Sequence, residues 1–104
     1  MQIKGHTELA VLRALQGKEM HGYAIVKLLQ IIGVPELGGS EGTIYPLLVR
    51  LEKSGFVQSR WDEGRKLYSL SEGGLGQLSV RLEEWHNFQR GLNKFLHDGA
   101  GLPS

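Results

Sequence analysis

Apolar residues in the first half of the chain recur at helical spacing in three separate runs. The first run begins after Thr7, a residue type that caps helices, and stops at Gly17. The second stops at Gly33, and the third follows the glycine-rich stretch 34–40. The pattern predicts three short helices, the third over residues 41–54. The apolar positions that define these helices are Leu9, Val11, Leu12, Leu15, Ile25, Leu28, Leu29, Ile32, Ile44, Leu47, Leu48 and Leu51.

A short β-hairpin is predicted after the third helix. The β-favouring runs FVQSR and KLYSL flank the connection WDEG, in which Gly64 suits a positive φ angle. We therefore predict a two-stranded wing whose connection is formed by residues 61–64.

A single long helix is predicted after the hairpin, with Ser71 as its N-cap and its end near Leu96. Its apolar residues fall at the a and d positions of a heptad, apart from the polar Gln89. Three short helices cannot cover so long a stripe, so a second copy of the chain is expected to cover the remainder. The predicted dimerisation residues are Leu75, Leu78, Leu82, Trp85, Phe88, Leu92 and Leu96, with Phe95 at the shoulder of the stripe.

The order of these elements is that of a winged helix-turn-helix with an appended dimerisation helix. The predicted fold class is mainly α with a small β-hairpin: residues 1–71 form the DNA-binding domain, and residues 72–104 form the dimerisation helix and a short tail. A helix of this kind fits the major groove of DNA, and a wing can touch the flanking phosphates. With its apolar residues turned to the core, the third helix would present Thr43, Tyr45, Pro46 and Arg50 to DNA.

Composition restricts the class of protein but does not identify a binding partner. A chain of 104 residues, 40% hydrophobic and 22% charged, fits one ordinary globular domain. It contains no cysteine, so disulfides and thiolate metal sites are excluded. We find no run of apolar residues long enough to span a bilayer and no signal-peptide core in MQIKGHTELA, so we expect a cytoplasmic protein without a membrane partner. The net charge of +1 does not by itself indicate nucleic acid.

Three segments carry a family resemblance: MHGYAI, GTIYPLLVRLEKSGFVQSRW and RKLYSLSEGG occur in the order and spacing of the PadR family of transcriptional regulators. The resemblance covers about residues 8–86. It implies a repressor that binds a pseudopalindromic operator in double-stranded DNA as a homodimer and is often released by a small aromatic or drug-like effector. The DNA-facing positions it implies are Tyr23, Ser40, Thr43, Tyr45, Pro46, Arg50, Arg65 and Lys66.

The chain resembles the shorter subgroup of that family, which has a single C-terminal helix. Aromatic residues of this helix can line a dimer pore that holds flat ligands, so the resemblance implies effector binding at Trp85 and Phe88. The sequence departs from the family pattern in a short connection WDEG, in Leu67 where a tyrosine is frequent, and in Gly73 and Gly76 near the start of the last helix. We expect the short connection to limit how far the wing reaches into the minor groove.

Several of these residues also have plainer interpretations. Tyr45 could cover the core with its hydroxyl in water, Thr43 could be the N-cap of the third helix, and Trp85 could anchor a dimer core. The basic residues Arg50, Arg65 and Lys66 could be solvated charges beside Glu52 or Glu63.

Other classes of function fit the sequence less well. It contains no phosphate-cradling glycine loop and no nucleophile elbow, so we expect neither an enzyme nor a cofactor. We expect no metal site, because His86 and His97 would lie about 16 Å apart along a helix. One alternative stays open: a winged helix that serves as a protein–protein interaction module and does not bind DNA.

Overall fold

A computed structural model describes residues 4–34 and 39–98, and it confirms the winged helix-turn-helix with a long C-terminal helix. Three short helices enclose the core, a small antiparallel sheet packs beside the third of them, and the last helix projects away from the core. The elements are α1 (Lys4–Ala14), β1 (Met20–His21), α2 (Gly22–Ile32), α3 (Glu41–Lys53), β2 (Val57–Asp62), β3 (Arg65–Leu70) and α4 (Glu72–Asp98).

One apolar cluster joins all four helices to the sheet. The residues that the helical periodicity assigned to the core are mostly buried, whereas Leu9 and Leu28 are only partly covered and Ile32 is exposed. Burial of these side chains is the main force that holds the helices together. The buried cluster consists of Val11, Leu12, Leu15, Ile25, Val26, Leu29, Ile44, Leu47, Leu48, Leu51, Val57, Tyr68 and Leu78.

The predicted helix ends hold for α2 and α3 but not for the start of α1. Gly33 ends α2 in the left-handed conformation, with φ 73° and its N–H bonded to the carbonyl of Leu29 at 3.3 Å. The prediction of Thr7 as a helix cap was wrong, because α1 starts at Lys4 and Thr7 is buried inside it. Contacts with α4 order this first turn: the rings of His6 and Trp85 lie 5.5 Å apart. Residues 35–38 of the predicted loop lie outside the described residues.

The sheet has three strands in the order β1-β3-β2, one more than predicted. Trp61 and Asp62 were predicted in the connection but belong to β2, which leaves a two-residue turn. Glu63 and Gly64 both have positive φ angles, 50° and 83°, as a type I′ hairpin turn requires. The predicted positive φ angle of Gly64 is therefore confirmed.

The long C-terminal helix begins where the sequence predicted. The hydroxyl of Ser71 accepts the N–H of Gly74 at 3.0 Å, which caps α4. With 27 residues, α4 is about 40 Å long. The radius of gyration is 16.0 Å, against about 13 Å for a compact domain of this length. Much of α4 therefore extends beyond the core. Within the described ranges, no helix is long and apolar enough to cross a membrane.

The first turns of α4 belong to the core of the winged helix-turn-helix. Leu78 is only 2% exposed and lies in the same cluster as Ile44 and Leu48 of α3. The prediction of Leu78 as a dimerisation residue was therefore wrong, because its own subunit already covers it. The division of the chain after residue 71 stays a prediction.

Candidate nucleic-acid interface

The outer face of α3 is open to solvent along its whole length. The side chains that anchor the helix point inward and are at most 3% exposed, namely Ile44, Leu47, Leu48 and Leu51. The exposed residues on the remaining sides are Glu41, Gly42, Thr43, Tyr45, Pro46, Val49, Arg50 and Lys53. All four α3 residues that the sequence assigned to the outer side are therefore accessible.

These predicted residues do not form a single strip. Thr43, Pro46 and Arg50 follow one another at helical spacing and line a shallow groove beside Thr7 of α1. Tyr45 lies on the opposite flank, where its ring packs against Gly22 at the start of α2. A Cβ at Gly22 would lie 2.6 Å from Cε1 of Tyr45, so the close approach of the ring requires a glycine.

Three residues at the centre of the exposed face were not predicted from the sequence, namely Gly42, Val49 and Lys53. At 100° per residue they point away from the buried side, together with Pro46. Val49 is 49% exposed, although it is apolar and lies in the middle of a helix. The helical period alone could have identified these residues, because they stand opposite the apolar positions.

The start of α3 is held by its own side chains. Ser40 occupies the N-cap position and donates its hydroxyl to that of Thr43 at 3.0 Å. Its carbonyl accepts the N–H groups of Thr43 and Ile44. The interpretation of Thr43 as the N-cap was wrong, since Thr43 lies inside the first turn of the helix. Two predicted residues, Ser40 and Thr43, thus form one hydroxyl pair at the end of the helix where anions are favoured.

Tyr23 is the predicted contact that α2 contributes. Tyr23 is 51% exposed, and the ammonium of Lys27, one turn further along, lies 5.5 Å from the centre of its ring. A cation held over an aromatic face is a weak but favourable arrangement. Lys27 was not predicted, although its spacing of four residues from Tyr23 is visible in the sequence.

Besides the apolar core, the Glu52 carboxylate ties the wing to α3. Glu52 of α3 accepts a hydrogen bond from the Ser59 hydroxyl at 2.8 Å, and its other oxygen lies 3.7 Å from the Lys66 ammonium. Because side chains alternate along a strand, Lys66 faces α3 while the neighbouring Arg65 points to the opposite face of the hairpin. The two predicted basic residues of the wing are therefore not equivalent.

The far face of the sheet carries its own polar anchors. The Arg60 guanidinium donates two hydrogen bonds to Glu19, at 2.8 and 2.9 Å, and holds the pKa of that carboxyl below its usual value. The Nδ1 atom of His21 lies 3.1 Å from the Lys66 carbonyl, and its Nε2 atom lies 3.7 Å from Asp62. These contacts bind the wing to the segment before α2 and fix its orientation.

A second surface lies on α4, away from the wing. Leu82 packs partly against the core, whereas the aromatic and leucine side chains beyond it are exposed. Trp85 stacks edge-on against His6 of α1, and the ring of Phe88 lies 6.1 Å from that of Trp85. The predicted dimerisation residues that remain at least one third exposed are Leu75, Trp85, Phe88, Leu92 and Leu96, and Phe95 beside them is also exposed.

Helix α3 is the third helix of the motif, the position of the recognition helix in a winged helix-turn-helix. This exposed recognition helix and the adjoining wing define a winged helix-turn-helix protein. The model of the PadR-like family of transcriptional regulators matches residues 11–80, so the chain belongs to that family and the predicted resemblance is confirmed.

Solved structures of similar proteins match between 72% and 91% of this chain. A transcriptional regulator from Clostridium thermocellum is 31% identical, with a TM-score of 0.79, over 89% of this chain and 92% of its own. A PadR family transcriptional regulator from Eggerthella lenta is 36% identical, with a TM-score of 0.78, over 91% and 85% of the two chains. The PadR protein of Bacillus subtilis, solved in complex with operator DNA, is 30% identical with a TM-score of 0.60, over 72% of this chain and 45% of its own.

Proposed function

We propose that this protein is a sequence-specific, DNA-binding transcriptional repressor that binds a pseudopalindromic operator as a homodimer. The observation that carries the proposal is the exposed outer face of α3, which no other described part of the subunit covers. A covered face would have excluded contact with a duplex. The similarity to a PadR protein solved with operator DNA supports the same function.

The exposed residues suggest a division of roles at the duplex. Arg50, Arg65 and Lys66 are proposed to contact phosphates, which supply most of the affinity without reading sequence. Thr43 and Tyr45 are proposed to read base edges in the major groove. The remaining proposed contacts are Tyr23, Ser40 and Pro46, to which the structure adds Val49 and Lys53.

The test is a fluorescence anisotropy titration of labelled duplex DNA at several salt concentrations. A mixed-sequence duplex at low salt should bind wild-type protein, and Arg50→Ala should weaken binding and lower the slope of log affinity against log salt by about one. Arg90→Ala removes an exposed arginine from the polar face of α4 and should leave the slope unchanged. Failure of the wild type to bind duplex would favour the interaction-module alternative.

The homodimer rests on the exposed apolar surface of α4. Trp85, Phe88, Leu92, Phe95 and Leu96 are each between 36% and 62% exposed, on a helix that extends beyond its own core. An aligned apolar stripe of this size is typical of a buried interface. A twofold dimer would present two α3 helices to successive major grooves about 34–36 Å apart.

Sedimentation of a charged variant tests the dimer. Leu92→Glu should give monomers, because an unpaired carboxylate cannot be buried in an apolar interface. Val80→Glu is the matched control, since Val80 is 52% exposed, lies about 120° around α4 from Leu92 and should leave the dimer intact. A Leu92→Glu protein that still sediments as a dimer would rule out this interface.

An effector site is proposed beside Trp85. The groove between α1 and α4 has a volume of about 410 Å³ and is lined mainly by apolar side chains, among them Leu9, Leu82 and Trp85. A flat aromatic compound would stack on the indole. Trp61→Phe leaves Trp85 as the one tryptophan of the chain, so its emission can be followed during titration with proflavine. Emission that does not change at saturating proflavine would refute the site for ligands of this class.

A further inference from the structure

The wing carries a large apolar side chain that neither the core nor the proposed interface accounts for. Trp61 in β2 is 69% exposed, more than any other aromatic residue in the described part of the chain. The ammonium of Lys66 lies 5.9 Å from the indole centre. An exposed tryptophan on a short hairpin gains little for folding, because most of its surface stays in water.

The strand register shows which way Trp61 faces. It pairs with Lys66 across the hairpin, and Ser59 pairs with Tyr68 two residues further back. Side chains two apart share a face, so Trp61 lies on the same face as Ser59, the side that contacts Glu52 of α3. The indole therefore lies on the α3 side of the hairpin, about 7 Å along the strand from Ser59 and level with Lys66.

The turn at the tip of the wing is too short to contact DNA by itself. Glu63 and Gly64 form a tight two-residue connection, so no loop projects beyond the strands. Any contact between the tip of the wing and a duplex lying on α3 must come from strand side chains. Trp61 is the largest of these, and its neighbour Lys66 supplies a positive charge on the same face.

We propose that Trp61 is a DNA-contacting residue, whose indole packs against the sugar–phosphate backbone beside the site read by α3 while adjacent Lys66 meets a phosphate. This inference rests on the proposed DNA-binding function. The indole offers an apolar face to deoxyribose and one N–H donor to a phosphate oxygen, with no acceptor that phosphate would repel. Asp62 in β2 points to the other face and lies 3.7 Å from His21. The carboxylate that contacts the face of Trp61 and Lys66 is that of Glu52, 3.7 Å from the Lys66 ammonium, and a phosphate would replace it as the partner of Lys66.

Duplex affinity and its salt dependence distinguish the contribution of the Trp61 indole from that of the Lys66 charge. Trp61→Ala should weaken binding to duplex about tenfold, within the range of aromatic contacts to nucleic acid, and should leave the salt slope unchanged because no charge is lost. Lys66→Ala should instead lower the slope by about one. Val80→Ala truncates an exposed apolar residue outside both surfaces and should bind like wild type. The loss of affinity caused by Trp61→Ala should disappear when the duplex is shortened to the base pairs that α3 contacts.

Fluorescence gives a readout that does not depend on the folding of the alanine variant. The emission of wild type minus that of Trp61→Phe isolates Trp61. On addition of duplex this difference should shift to shorter wavelength and become protected from acrylamide. Equal affinity of Trp61→Ala and wild type, or an indole that stays accessible in the complex, overturns the inference while leaving DNA binding in place. If wild type binds no duplex, the proposed function itself fails.

Discussion

The junction between the hairpin and α4 gives a prediction about stability that can be worked out from the structure. Gly74 is buried against the segment that joins α3 to β2, and a Cβ placed on it would lie 1.9 Å from the Phe56 carbonyl oxygen and 3.1 Å from Cδ2 of Leu70. In real proteins such contacts are essentially never shorter than 3.0 Å, so Gly74→Ala must move backbone, not a flexible side chain.

The cost of this movement can be estimated from the bonds involved. The Phe56 carbonyl accepts the N–H of Ser71 at 3.2 Å, so its displacement disturbs the cap of α4 as well as the packing. Overpacking typically costs 1–3 kcal/mol and a lost hydrogen bond about 1 kcal/mol, so Gly74→Ala should destabilise the fold by about 3 kcal/mol. At about 4–8 °C per kcal/mol for a domain of this size, the melting temperature should fall by more than about 10 °C.

Gly76 provides the matched control two residues further along the same helix. A Cβ there meets nothing within 4 Å, so Gly76→Ala should stabilise the protein by about 0.5–1 kcal/mol through helix propensity alone. Thermal denaturation followed by circular dichroism, at equal protein concentrations, measures both variants. A Gly74→Ala protein within 1 kcal/mol of wild type would refute the described packing at this junction.

Two further predictions concern the interface. Glu52→Gln keeps a polar partner for the wing but removes the carboxylate that competes with phosphate for Lys66, so duplex affinity measured by anisotropy should rise about threefold. Stability should change little, because the ion pair between Glu52 and Lys66 is partly exposed. Weaker binding of the variant would show that the negative charge of Glu52 serves DNA binding. Gly22→Ala should push the Tyr45 ring off the start of α2 and reduce selectivity between duplex sequences more than overall affinity; unchanged selectivity would remove this tyrosine from base readout.

Most of the helical architecture could be predicted from apolar spacing, because α2 and α3 each bury one stripe, α4 carries one that is buried at Leu78, and these helices end or begin at recognisable residues. The start of α1 could not, since packing of its first turn against α4 overrides the capping preference of Thr7. The strand Met20–His21 was missed because two residues cannot show a period. Its existence depends on pairing with β3, a contact 45 or more residues away in sequence.

The candidate site shows the same division between local and long-range information. The helical period predicted that the outer side of α3 is accessible. It could not predict that Tyr45 and Arg50 lie on opposite flanks of the helix, because their positions depend on packing against α2 and α1. The distinction between Arg65 and Lys66 needed only the alternation of a strand and could have been predicted. The tie through Glu52 could not, because it joins three elements whose approach is set by the core.

The position of α4 determines what a dimer would do to DNA recognition. Leu78 packs in the same cluster as Ile44 and Leu48, so the first turns of α4 and the recognition helix belong to one packed body. Because close-packed cores resist small displacements, a change in the angle between two α4 helices would be carried to both α3 helices and alter their separation. Trp85 lies one turn beyond Leu82 on that helix and contacts α1 through His6. A ligand bound at Trp85 would therefore act on the spacing of the recognition helices without touching them.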